Sequence, residues 1–224
     1  MPPDPATIQI VPTSTRYAEQ LEHLYRFVYN DWEENSVDLL SAAMFRNHLV
    51  VFPEGQFIAL DPTLPEGEQV IGLTVSLRMP FDLAHPFVRP WRETTGDGWL
   101  TTHDPDGDWL YGVESSVHPD YQSMGIGGRL IEARFDVVRR LNLCGMVAGS
   151  ALMSYHAVAD RVPIHAYVAG VIDGTYFDMN LSKQLRKGFV YAGILIPDYV
   201  VDVEARGWGA IIVRENANYT APHA

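Results

Sequence analysis

Residues 117–130, VHPDYQSMGIGGRL, have the composition of a phosphate-holding turn. The run WLYGVESSV before them alternates like a strand, and the run after them has the period of a helix. The free N–H groups at the start of such a helix point outward, and the helix dipole adds partial positive charge. That end holds a phosphate without requiring Lys or Arg. Gly125, Gly127 and Gly128 carry no side chains, so a pyrophosphate can come close to the backbone. Three phosphate motifs compete. The dinucleotide fingerprint G-x-G-x-x-G requires glycine where Leu130 stands, and a P-loop requires a Gly-Lys-Ser/Thr that is absent. The pattern V-x-P-x-[YF]-[QR]-x-x-G-x-G is met at every fixed position, by Val117, Pro119, Tyr121, Gln122, Gly125 and Gly127.

On these residues the sequence resembles the GNAT superfamily of acyl-CoA-dependent N-acyltransferases. QLRKGF, LNLCGMVAG and SYHAVAD look like the acetyltransferase-like domain often joined to nitrilase-type hydrolases, whose hydrolase part has no counterpart in these 224 residues. The resemblance implies an α/β fold with a mixed, splayed sheet of six or seven strands flanked by helices. It implies a cofactor site at Val117, Gln122, Ser123, Met124, Gly125, Ile126, Gly127 and Gly128, whose backbone would cradle the pyrophosphate of acetyl-CoA. The backbone of Ser115 to Val117 would pair with the pantetheine arm like an extra strand. The family's later segment, typically ending in Lys-Leu-Gly-Phe, is matched by LRKGF at Leu185 to Phe189, and many members carry a tyrosine five residues before that Phe to protonate the departing thiolate. Here Gln184 precedes Phe189 by five, and a glutamine cannot serve as that acid. Tyr176, Ser182, Tyr155 or a water are the substitutes considered.

An amine must lose a proton to attack a thioester, and a lysine-like amine has a pKa near 10.4. A carboxylate can take that proton directly or through water. Glu114, three residues before Val117, is the candidate base, with pairing to an arginine as its structural alternative. Ser115 competes as the polar contact, because alternation puts Glu114 and Ser116 on one face and Ser115 and Val117 on the other. Which face meets the acyl group is not fixed by sequence. Arg134 falls within the apolar stripe Leu130, Ile131, Val137, Val138 and Leu141, so it needs a carboxylate or carbonyls or must snorkel out; a buried ion pair is the plain reading and a ligand contact the alternative. Cys144 is expected to be inert on a buried strand. His156 is read as structural, and Trp91, Trp99 and Trp109 as packing residues rather than an amine cage. The eight histidines show no metal-ligand spacing, so no metal is expected.

The elements that position these residues follow from the pattern. Tyr17, Leu21, Leu24, Tyr25 and Val28 predict one helix. A second begins near Ser36 or Asp38 and ends before Pro53. QFIALD and QVIGLTVSL read as strands, and residues 80–107 as a long loop. After the motif helix come a short strand CGMVAGS, a helix in VPIHAYVAGVIDG, a short helix LSKQLRKG, and strands FVYAGILI and GWGAIIV. This interleaving predicts one α/β domain over residues 1–224.

With 47% hydrophobic and 20% charged residues, the chain is not a disordered one. One cysteine excludes a disulfide scaffold. The net charge of −12 argues against sequence-independent nucleic-acid binding. From Glu93 to Gly128 there is no Lys or Arg against seven acids, which is either a solvated loop or a wall that attracts a cationic ligand. No run of about 18 apolar residues exists, and the N-terminus has no signal-peptide core, so the expected location is cytoplasmic. The acyl acceptor expected is an amine of a small molecule or peptide, and a homodimer is left open.

Overall fold

The computed structural model describes residues 4–30, 39–86 and 88–221. Seven strands form one open sheet: β1 (Gln9–Pro12), β2 (Phe57–Leu60), β3 (Val70–Met79), β4 (Trp109–Val117), β5 (Gly145–Ala151), β6 (Val190–Ile196) and β7 (Gly209–Glu215). Their order is β1-β2-β3-β4-β5-β7-β6. Every neighbouring pair is antiparallel except β4–β5, which is parallel. Six helices flank the sheet: α1 (Ala18–Tyr29), α2 (Ala42–Val51), α3 (Trp91–Thr95), α4 (Ile126–Arg140), α5 (Ile164–Asp173) and α6 (Leu181–Leu185). This is the mixed α/β sheet the sequence implied. Among the described residues, the long segment 80–107 contributes α3 and no strand. Among the described residues, no helix is long and apolar enough to cross a membrane.

The two faces of the sheet are covered differently. Leu21, Leu24 and Tyr25 of α1 and Phe45 of α2 pack with Leu73, Val75, Leu77, Tyr111 and Val113 on one face. On the other, Ile131, Phe135 and Val138 of α4 join Tyr167 and Val171 of α5 over Leu110, Met146 and Ile212. A smaller cluster of Ile71, Tyr121, Ile126 and Leu130 seats the first turn of α4. The side chain of Ser41 caps α2, its hydroxyl accepting from the Met44 amide at 3.3 Å. The expected starts at Ser36 and Asp38 lie outside the described residues. Arg139 and Arg140 close α4, where positive charge complements the dipole.

Candidate functional site

The turn after β4 is pinned from below. Tyr121 is buried and donates its hydroxyl to Asp61 at 2.8 Å, so the motif's aromatic residue bolts the turn to the β2–β3 connection. Ser123 and Gly125 both adopt left-handed backbone, at φ 64° and 79°. That conformation is cheap for glycine and explains Gly125. A Cβ at Gly125 or Gly128 would meet nothing within 4 Å, so the space over the turn is open. The first amides to find a helical carbonyl are those of Gly128 and Arg129, both on Gly125. Those before them at the helix start face outward. Ile126 is buried in the small cluster beneath, and Met124 and Val117 pack partly against it. Gln122 reaches back to the carbonyl of Val117 at 3.4 Å.

Above the turn, the sheet parts. β4 and β5 pair only from Trp109↔Gly145 to Gly112↔Ala148. Beyond that point β5 continues against β7, and residues 113–117 of β4 continue against β3. The outer half of β4 therefore faces the gap without a neighbouring strand on that side, as an edge strand does. A bulge lies at the vertex: Val75 pairs with Glu114 but Ser76 pairs with Gly112, so Val113 is the extra residue. A bulge re-aims the side chains beyond it. Strict alternation from Leu110 would put Glu114 on the α4 face; the bulge puts it on the α1 face instead.

There the Glu114 carboxylate is enclosed by donors. One oxygen accepts from the hydroxyls of Tyr25 and Tyr29, both at 3.1 Å. The other accepts from the Ser116 hydroxyl at 2.7 Å and the Ser115 amide at 2.8 Å. Those four donors match the acceptor capacity of a carboxylate. Burial, then the nearby Glu114 charge, hold both tyrosine hydroxyls protonated well above the ordinary range. Tyr25 is buried, whereas the ring of Tyr29 is half exposed, so Tyr29 forms the open side of the cluster. The long segment closes the vertex: the Trp91 indole donates to the carbonyl of Val113 at 3.0 Å. Next to it, the hydroxyls of Tyr111 and Tyr199 meet at 2.9 Å.

Arg134 is buried on the opposite face, 5% exposed. Among the described residues, no carboxylate forms an ion pair with it, so of the partners considered only a carbonyl is found. Arg134 Nη1 donates to the backbone carbonyl of Glu114 at 3.4 Å, and its Nε has no partner. The reason is the bulge, which carries the Glu114 carboxylate through to the far side of the sheet. Burial pushes the Arg134 guanidinium down to about 10, with the Glu114 charge opposing, so it remains a cation at neutral pH. It lies against Gly112, where a Cβ would stand 3.1 Å from Nη1. A second cation is nearby. Lys187 Nζ stands 3.0 Å from the position of a Cβ on Gly127. Burial, Arg134 and Lys183 all push its pKa below the usual lysine value. Asp178 fixes the approach of that segment by accepting the amides of Asn180 and Leu181, both at 2.9 Å, at the start of α6.

Of the catalytic candidates, Glu114 and Ser115 lie at the strand parting, with the Ser115 side chain exposed. Tyr176 lies in the α5–α6 turn, its ring against Gly170 and 5.5 Å from that of Tyr167; among the described residues it makes no hydrogen bond or ring contact with Glu114. Gln184 is half-buried, and its Oε1 has no partner. His156 is exposed and held on the carbonyl of Glu204. Cys144 lies just before β5 and is partly exposed, not on a buried strand as expected; burial still raises its thiol above the usual value. Trp109 packs edge-on to Phe81. Most of the acidic run is surface: Glu93, Asp97, Asp106, Asp108 and Asp120 are exposed. Sequence reasoning missed Tyr29 and Lys187. Tyr25 and Tyr29 stand at i and i+4 on one helix face, which is the signal that was available. Nothing local flags Lys187.

No family model matches the chain. It is 42% identical over 156 residues to the "Probable hydrolase YhcX" of Bacillus subtilis (strain 168), covering 70% of this chain and 29% of that protein. The chain therefore spans under a third of that relative's length. It is 28% identical over 181 residues to the "Uncharacterized N-acetyltransferase YkwB" of the same organism, covering 81% and 77%. Among solved structures, the "GphF GNAT-like decarboxylase in complex with isobutyryl-CoA" superposes with a TM-score of 0.74, at 23% identity, over 92% of this chain and 98% of that one. The open seven-stranded sheet, parting after its one parallel pair, gives this chain the GNAT fold. The two sequence relatives, one called a hydrolase and the other an N-acetyltransferase, fit the resemblance to the GNAT domain found beside nitrilase-type hydrolases.

Proposed function

We propose that this chain transfers a short acyl group, acetyl in its simplest form, from acyl-CoA to an amine by direct attack in a ternary complex. The observation that carries this reading is the gap-facing half of β4, running from the open glycine turn to the Glu114 cluster. Pyrophosphate would rest on the amides of Ser123 to Gly128 with Lys187 beside them, and pantetheine would pair with residues 115–117. The donor then lies on the α4 face, and the amine approaches from the α1 face, past Tyr29 and Trp91. The two reactants meet through the gap. A face lined by tyrosine hydroxyls and a carboxylate suits a cationic amine that must shed its proton there.

The amine nitrogen attacks the thioester carbonyl; the C–N bond forms, the C–S bond breaks and the CoA thiolate departs. All four acceptor positions on Glu114 are filled, so the amine proton reaches it most directly through Tyr29, whose hydroxyl oxygen takes one proton as its own passes to Glu114. No acid stands at Gln184. A thiol has a pKa of about 8.5, so beside cations it can leave as the thiolate. A second reading, a non-catalytic acyl-CoA-binding module, is favoured by Gln184. Mass spectrometry after incubation with acetyl-CoA and an amine library separates the two. An acylated amine with stoichiometric free CoA supports transfer; tight acyl-CoA binding without any acylated product refutes it.

A further inference from the structure

Among the described residues, no carboxylate pairs directly with Arg134; the Glu114 charge acts on it only from the other face of the sheet. Arg134 is buried to 5% exposure, its Nε has no partner, and its hydrogen bond is a long one, 3.4 Å, to a backbone carbonyl. A buried, poorly paired guanidinium is costly, and an arriving anion would offset that cost. The nearest carboxylate, that of Glu114, lies on the other face and is filled by its own four donors. The place of Arg134 says which part of the ligand would supply the anion. It contacts Glu114 and Gly112, at the vertex where β4 and β5 part. Val117 lies five residues down the strand from Gly112, roughly 17 Å away. The pyrophosphate end has its own donors in the turn amides and in Lys187, over Gly127. Lys187 feels the charge of Arg134, so the two cations line one site; Arg134 is the one at the vertex, where the acyl end would lie.

Resting on the acyl-CoA reading above, we infer that the preferred donor is a monothioester of a dicarboxylic acid, of the malonyl or succinyl class, whose free carboxylate pairs with Arg134. Gly112 serves this seat, because any side chain there would press on Nη1. Acetyl-CoA would fill the thioester position and leave the guanidinium unpaired.

Isothermal titration of the full chain with CoA, acetyl-CoA, malonyl-CoA and succinyl-CoA tests the assignment. The expected result is that malonyl- or succinyl-CoA binds at least tenfold more tightly than acetyl-CoA. In Arg134→Met, which replaces the cation with an apolar chain of similar length, the ratio should fall to about one while acetyl-CoA affinity is retained. Gly112→Ala, which crowds the guanidinium without removing it, should narrow the ratio as well. Equal affinity of wild type for acetyl-CoA and both carboxylated donors would overturn the inference but leave the acyl-CoA reading standing. A preference that survives in Arg134→Met would overturn it too. If Arg134→Met does not fold, the wild-type ratio and the Gly112→Ala ratio decide. Failure of CoA and all three thioesters to bind would remove the acyl-CoA reading itself.

Discussion

Replacing Glu114 by glutamine isolates its proton-accepting role from its structural one. In the variant, one oxygen still accepts from the Ser116 hydroxyl and the Ser115 amide, as it does now at 2.7 and 2.8 Å. The new amide group supplies two hydrogens to the oxygens of Tyr25 and Tyr29, which now donate at 3.1 Å. The four contacts persist with two of them reversed, and the charge assistance of all four is lost. At the usual worth of such bonds the cost is about 1–2 kcal/mol, which for a chain of this size lowers Tm by roughly 2–8 °C. Catalysis should suffer far more. Loss of a positioned base lowers kcat by a factor of roughly 10²–10⁴. The deficit should shrink as pH rises toward the amine's own pKa, near 10.4 for a lysine-like amine. Acyl-CoA affinity should hold, because the carboxylate lies on the face away from α4. The assay is steady-state transfer across pH, run beside calorimetric binding and thermal unfolding. Tyr29→Phe should share the kcat loss and leave binding intact, because it breaks the link between amine and carboxylate. Wild-type kcat in Glu114→Gln at neutral pH would refute the reasoning; so would a loss of acyl-CoA affinity as large as the loss in kcat.

Gly127→Val should weaken acyl-CoA binding at least tenfold by titration, because its Cβ would stand 3.0 Å from Lys187 Nζ and its methyls would enter the pyrophosphate path; unchanged affinity would count against the turn as the phosphate seat. His48 gives a pH signature unrelated to catalysis. Burial, opposed by its bond to the Gly98 carbonyl, lowers its pKa to about 4, whereas an unfolded histidine takes up its proton near 6.5. The unfolded chain therefore binds the extra proton between those values, so this contribution to stability is complete above pH 6.5 and is lost as pH falls toward 4, by about 3 kcal/mol in all. Denaturant unfolding at pH 7 and 4.5 should show that slope in wild type and a flatter one in His48→Gln; equal slopes would show that His48 is not its source.

The strand–turn–helix at residues 117–130 was legible because its information is local. A strand end, Tyr121, left-handed Gly125 and a helix start lie within a dozen residues, and backbone geometry alone reserves those positions for those residue types. The element order was legible for the same reason, since periods of two and 3.6 reflect which side of each element is buried. The start of α2 was less so, because Ser36, Asp38 and Ser41 are all acceptable caps and only packing selects one. What the site does with its charges was decided by tertiary structure. A single bulge at Val113, forced by the register against β3, turns Glu114 from the α4 face to the α1 face. That turn gives it Tyr25 and Tyr29 as partners and denies it to Arg134, a separation that alternation along the sequence cannot express. Lys187 reaches Gly127 across 60 positions of chain because the Asp178 turn aims its segment there. Contacts of that kind depend on how whole elements stack, and no residue near either partner in sequence encodes them alone.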